Sequence, residues 1–284
     1  MDCDEYYNID ASKTVKFLKE NAIFSNGNAF NKTTNRRISA IIPVHVFGNA
    51  ARIEEFQDIC EEYNIRIIED ASESLGTYYT KGRFEGNYTG TVGDIGCFSF
   101  NGNKIITTGG GGMIVTRNDK YARRSRYIST QAKDDPVRYI HNETGYNYRI
   151  TNIQAAMGVA QLENLDGFIG RKTVNYGIYR EGISSIDGLR LADVPDYASQ
   201  NHWFYSLQID KDIYGMGRDG LMDHLLANNV QTRPVWYLNH LQKMYKGCQA
   251  YMIDRAVELW EQTLNLPCSS NLRKEDVMKV LEVL

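Results

Sequence analysis

The sequence predicts an α/β protein: a large domain on a mainly parallel sheet, followed by a smaller α+β C-terminal domain. Three observations carry that expectation. Residues 36–70 read as strand, helix, strand, the unit that sets neighbouring strands parallel. "DIGCFSF" (94–100) and "GGMIVT" (111–116) add two apolar runs of strand length. Beyond about residue 170 the pattern becomes strands alternating with amphipathic helices.

In chain order, "SKTVKFLKEN" predicts a short helix, and the Asn-rich stretch 21–35 an exposed loop. "RRISAIIPVHVFG" (36–48) predicts one buried strand. Ile53, Phe56, Ile59, Cys60 and Tyr63 recur at helical spacing with acids opposite, and "IRIIED" (65–70) is the next strand. "DKYARRSRYIST" predicts a helix. Thr151 with Gln154 forms a capping box that opens another, running toward about residue 168. A polar, Gly-containing stretch then places the domain boundary at 168–170, giving domains 1–168 and 169–284. In the second domain "HWFYSLQI" predicts a strand, and "GRDGLMDHLLANN", "AYMIDRAVELWEQTLN" and "KEDVMKVLEVL" predict helices.

Composition excludes several classes. A chain of 284 residues with 42% hydrophobic content can bury a sizeable core. Net charge is −3, so nothing suits nucleic acid or an anionic membrane. No apolar run reaches the roughly 20 residues a membrane span needs, and the acidic start is no signal peptide. The five cysteines have neither metal-knuckle nor redox spacing, which predicts reduced thiols in a cytoplasmic protein. The five histidines include no i, i+4 pair, so spacing indicates no metal site.

The chemistry-bearing residues fall at the carboxyl ends of predicted parallel strands, where open α/β sheets bind ligands. Asp70 closes "IRIIED", His45 lies near the end of "AIIPVHV", and Ser99 lies near the end of "DIGCFSF". Lys104 follows five residues after Ser99, flanked by "NGN" and "IITT" and followed by four glycines. It is either a surface lysine or a desolvated amine able to act as a Schiff-base nucleophile. Asp70 is either a turn acid or a carboxylate set opposite a protonated pyridine nitrogen. The glycine run lacks the spacing of a nucleotide-binding loop.

"IIEDASESLG", "GDIGCFSFNGNKIITTGGGGMIVT" and "GYNYRITNIQAAMGVAQLENLD", with "PVHVFG" and "TRPVWYLNHLQKMYKG", together resemble the DegT/DnrJ/EryC1/StrS aminotransferases. The resemblance implies the aspartate-aminotransferase-like fold type I, pyridoxal phosphate as cofactor, and amination of keto sugars attached to nucleotides. The nearest branch makes 4-amino-4,6-dideoxyhexoses, as in bacillosamine, legionaminic acid or perosamine pathways, for cell-surface polysaccharide or glycan synthesis. By position, Lys104 resembles the Schiff-base lysine and proton shuttle, Asp70 the partner of the pyridine nitrogen, and Ser99 a phosphate ligand. Asn147 matches the residue that reaches the phosphate from the neighbouring subunit, which implies a homodimer with shared active sites. Glu73 stands near the cofactor's phenolic oxygen, where many members carry Gln or His. His45, Arg149, Trp236 and His240 are candidate substrate contacts, with glutamate as amino donor. "MDCDEYYNID" resembles the middle of a family member, so the resemblance implies an N-terminally truncated chain. The alternative function is a non-catalytic remnant with impaired cofactor binding.

Overall fold

A computed structural model describes residues 1–284. Its central sheet has four strands in the order Ala40–Ile41, Arg66–Asp70, Ile95–Ser99, Gly112–Val115. The first three run parallel and the fourth antiparallel, with Asp70 opposite Cys97 and Ser99 opposite Gly112. Helix Ile53–Glu62 makes the crossover and buries Ile53, Phe56, Ile59 and Cys60, the stripe its sequence predicts. Gly96 has no room for a Cβ, because the carbonyl of Gly90 occupies that space. This lets the 88–93 loop lie flat on the sheet.

Several elements differ from the sequence expectation. Residues 36–48 form two short strands, Arg37–Ile38 and Ala40–Ile41, and a turn of 3₁₀ helix at Val46–Gly48 rather than one strand. Pro43 has no N–H to extend a ladder; its carbonyl still accepts from Asp70 N at 2.9 Å. The expected loop at 21–35 holds a hairpin, Ala22–Ser25 against Asn28–Asn31, with Arg37–Ile38 as third strand. Asn26 and Gly27, both at positive φ, make its two-residue turn.

Helix Asn152–Leu162 begins at the Thr151–Gln154 capping box. A second helix, Leu165–Ile183, runs unbroken through the expected boundary at 168–170. Its start packs Leu165 with Phe47, Phe100 and Trp203, while its later turns bury Tyr176, Tyr179 and Ile183 in the C-terminal core. A Cβ on Gly182 would collide with Leu281, so that glycine permits close packing against helix Lys274–Leu281.

The C-terminal sheet is antiparallel throughout, in the order Arg233–Pro234, Thr263–Leu266, Tyr205–Ile209, Leu189–Leu191. The helix expected over "AYMIDRAVELWEQTLN" would include Thr263–Asn265. The helix stops at Gln262, and all four following residues are buried as an inner strand. The chain start ties the two parts together. Asp2 accepts from the backbone N–H of Asp254, Arg255 and Ala256 at 2.8–3.2 Å, capping the helix Arg255–Gln262. Tyr7 shares its hydroxyl with Thr263 and Gln208 at 3.0 Å. No helix is long and apolar enough to cross a membrane.

Candidate active site

Strand pleating decides which side chains meet. Successive residues point to opposite faces, and Asp70 is in register with Cys97. Asp70, Cys97 and Ser99 therefore share one face at the carboxyl ends of two adjacent strands. Lys104 reaches that face from the following turn, which closes with Lys104 N–H on the carbonyl of Asn101 at 3.1 Å. The loop is pinned beyond it by Thr108 N–H on the carbonyl of Phe100 at 3.0 Å.

The Lys104 ammonium lies 3.9 Å from Glu73 Oε1 and 4.2 Å above the centre of the Trp203 ring. Trp203 is almost fully buried, and its indole N–H donates to the carbonyl of Asn103 at 2.9 Å. The lysine thus has a rigid aromatic floor. Burial pulls the Lys104 amine below its usual range, while the charges of Glu73 and Asp70 act the other way. Burial pushes the Glu73 carboxyl up to about 7, against the pull of Phe47 N–H and Lys104. Phe47 N–H donates to Glu73 Oε2 at 2.8 Å. Asp70 Oδ1 accepts from Ser72 N–H at 3.0 Å, which holds its carboxylate at the strand end. Ser99 Oγ accepts a long bond from Asn101 N–H at 3.4 Å.

Glu73 and Asp70 therefore act on the Lys104 amine, and Ser99 shares the sheet face with Asp70. His45 does not join them: it has no exposed surface, and both ring nitrogens are engaged. Nδ1 accepts from Ala51 N–H at 3.0 Å, which leaves Nε2 to donate to Glu69 Oε2 at 3.0 Å. Glu69 precedes Asp70 and points to the opposite face, where it also accepts from Gly90, Val92 and Gly93 N–H at 2.6–2.7 Å. Burial alone would raise this carboxyl, yet His45 and those N–H groups hold it below its usual range. The expected substrate contact at His45 is thus corrected to a structural bond that anchors the 88–93 loop.

Trp236 and His240 line an adjoining cleft of about 630 Å³. Phe47 joins it to the lysine, since its backbone bonds Glu73 and its ring stacks on Trp236 with centroids 5.1 Å apart. Asn147 and Arg149 stand exposed on a separate stretch, with Asn147 bridged to Thr130. Sequence reasoning missed Phe47, Asn201 and Trp203. Asn201 Nδ2 donates to the carbonyls of Glu73 and Leu75, and its Oδ1 accepts from Trp203 N–H. "NHWF" carries no signal that separates these residues from ordinary packing, because their partners are distant in the chain.

The model of the DegT/DnrJ/EryC1/StrS aminotransferase family matches residues 19–284. GDP-perosamine synthase of Escherichia coli O157:H7 is 36% identical over 252 residues, covering 88% of this chain and 66% of its own. EpsN of Bacillus subtilis (strain 168), named as a candidate pyridoxal phosphate-dependent aminotransferase, is 36% identical over 251 residues, covering 86% and 62%. The crystal structure of DesI in the presence of its TDP-sugar product superposes with a TM-score of 0.85 at 25% identity, over all of this chain and 67% of that one. The chain spans between 56 and 66% of the length of the first curated relatives it matches.

Proposed function

The chain belongs to the DegT/DnrJ/EryC1/StrS aminotransferase family and has its fold type I architecture, and on that premise we propose that it moves an amino group from glutamate to C4 of a nucleotide-linked 4-keto-6-deoxyhexose. The product would feed polysaccharide or glycan synthesis, and the relatives named GDP-perosamine synthase favour this substrate class. The observation that carries the proposal is the half-buried Lys104 amine, 3.9 Å from Glu73 and under the charge of Asp70 at the strand end.

The donor set fits pyridoxal phosphate. An amine of depressed basicity suits an aldehyde, a carboxylate suits a protonated ring nitrogen, and the Ser99 hydroxyl suits a phosphate. When bound, this cofactor supplies the electron sink that makes a proton next to the transferred nitrogen acidic. Asp70 would keep the proton on the ring nitrogen. Lys104 would bind at the aldehyde carbon and later take and return a proton through its Nζ. Trp203 excludes water from beneath that amine, so the amine stays poorly solvated and nucleophilic. Trp236 and His240 face the cleft where a sugar substrate would enter from solvent.

A second copy of the chain completes the proposal. Helix Asn152–Leu162 buries none of its residues although Ile153, Met157, Val159 and Leu162 lie along it, and Tyr146 and Tyr148 stack in the open nearby. An apolar surface of this kind marks an interface, and a homodimer would cover it and bring Asn147 toward a neighbouring site.

The test is to incubate the protein with pyridoxal phosphate, glutamate and a GDP- or UDP-linked 4-keto-6-deoxyhexose. Stoichiometric 2-oxoglutarate and amino sugar, both lost in Lys104→Ala, are expected. Absence of both turnover and cofactor capture at Lys104 would refute the aminotransferase and favour the remnant with impaired cofactor binding.

A further inference from the structure

Glu73 is held with more care than a bystander needs. Its carbonyl accepts from Asn201 Nδ2 at 2.7 Å, and one carboxylate oxygen accepts from Phe47 N–H at 2.8 Å. Phe47 adopts φ 60°, ψ 14°, a left-handed conformation unusual for a bulky residue. Gly48 follows at φ +92°, where a Cβ would run into Asn201 Oδ1. A strained residue, a glycine and an amide side chain therefore fix one carboxylate. Its other oxygen, Oε1, lies 3.9 Å from the Lys104 ammonium.

We propose that Glu73 is the proton partner of Lys104. The ammonium gives one proton to Glu73 Oε1, leaving a neutral amine and a neutral carboxylic acid. The reverse step returns the proton to nitrogen, so charge and atoms balance without a further reactant. This rests on the reading of Lys104 as the reacting amine. The gap of 3.9 Å is wider than a hydrogen bond, and rotation about the lysine's four side-chain bonds closes it.

The surroundings favour sharing. Burial destabilises the ammonium and the carboxylate alike, which draws their proton affinities together. Asp70, the other titratable group acting on both, raises each of them. Two groups coupled so closely titrate as a pair in two steps. Glu73 is thus a second acid with its own task, distinct from Asp70.

The test needs no cofactor. The full chain is pulsed with formaldehyde and cyanoborohydride across a pH series, and methylation of the Lys104 peptide is followed by mass spectrometry. In Glu73→Gln, which keeps the length and an acceptor for Phe47 N–H, the midpoint of Lys104 reactivity should fall by about 1–3 pH units, the usual effect of removing an opposite charge at this range. The two-step profile should become one step. Glu73→Asp, tested in parallel in case the glutamine variant folds poorly, should restore two steps with weaker coupling. An unchanged midpoint in both variants overturns the proposal, as does a Lys104 that resists labelling at every pH. Trapping of pyridoxal phosphate on Lys104 despite an unchanged profile would leave the aminotransferase reading standing and sink only this inference.

Discussion

Replacing Glu73 by glutamine should change the way stability depends on pH. In the folded chain the carboxyl titrates at about 7, with burial the dominant cause, against an ordinary value of 4.5. Between those values the folded state holds a proton that the unfolded state has lost. Stability from this group is therefore complete below about pH 4.5 and is lost as pH rises through 7. A difference of about 2.5 units at 1.36 kcal/mol each gives about 3 kcal/mol. Asp4, pushed up to about 7 by burial, titrates in the same window, so the wild-type curve alone does not isolate Glu73. The difference between Glu73→Gln and wild type removes the Asp4 contribution and reports on Glu73 together with its effect on Lys104. Urea unfolding at pH 4.5 and pH 8 should show the variant gaining about 3 kcal/mol relative to wild type over that interval. A difference that stays constant with pH would refute the claim that Glu73 carries a proton in the folded site.

Other perturbations probe the frame around the site. Asp2→Ala removes the acceptor for three N–H groups at the start of the Arg255–Gln262 helix, and should cost about 2 kcal/mol, with faster amide exchange at 254–256. Glu69→Ala leaves the N–H groups of Gly90, Val92 and Gly93 and the His45 ring without their buried partner. It should cost about 3–5 kcal/mol, read as a lower urea midpoint at unchanged slope. Gly27→Ala forces a Cβ into φ +74° at the hairpin turn and should cost about 1 kcal/mol, read as a small drop in thermal midpoint.

The candidate site was legible where chemistry follows from strand ends. Asp70, Ser99 and Lys104 could be placed together from the positions of two apolar runs and one turn, because parallel strands end at one edge. His45 was misread because position along a strand does not reveal its face: Glu69 and Asp70 are adjacent, yet one binds His45 in the core and the other faces the site. Glu73, Phe47, Asn201 and Trp203 form a unit through contacts spanning up to 128 positions in the chain, which local pattern does not encode. The inner strand Thr263–Leu266 was hidden because the amphipathic spacing of "RAVELWEQ" runs on into it. Pairing with Tyr205–Ile209 and Arg233–Pro234 overrides that local preference. The helix Leu165–Ile183 was obscured by Gly170, Gly177 and Gly182, though Tyr176, Tyr179 and Ile183 kept helical spacing. The hairpin had a visible marker, Asn26-Gly27, which the abundance of neighbouring asparagines masked.

The central claim is that the amine at Lys104 is the one the fold has made reactive toward an aldehyde cofactor. Incubation with pyridoxal phosphate, reduction with borohydride and peptide mapping tests it most directly. The account predicts the phosphopyridoxyl label on the Lys104 peptide, diminished in Asp70→Asn. Label spread over exposed lysines such as Lys120, with Lys104 unmodified, would contradict it.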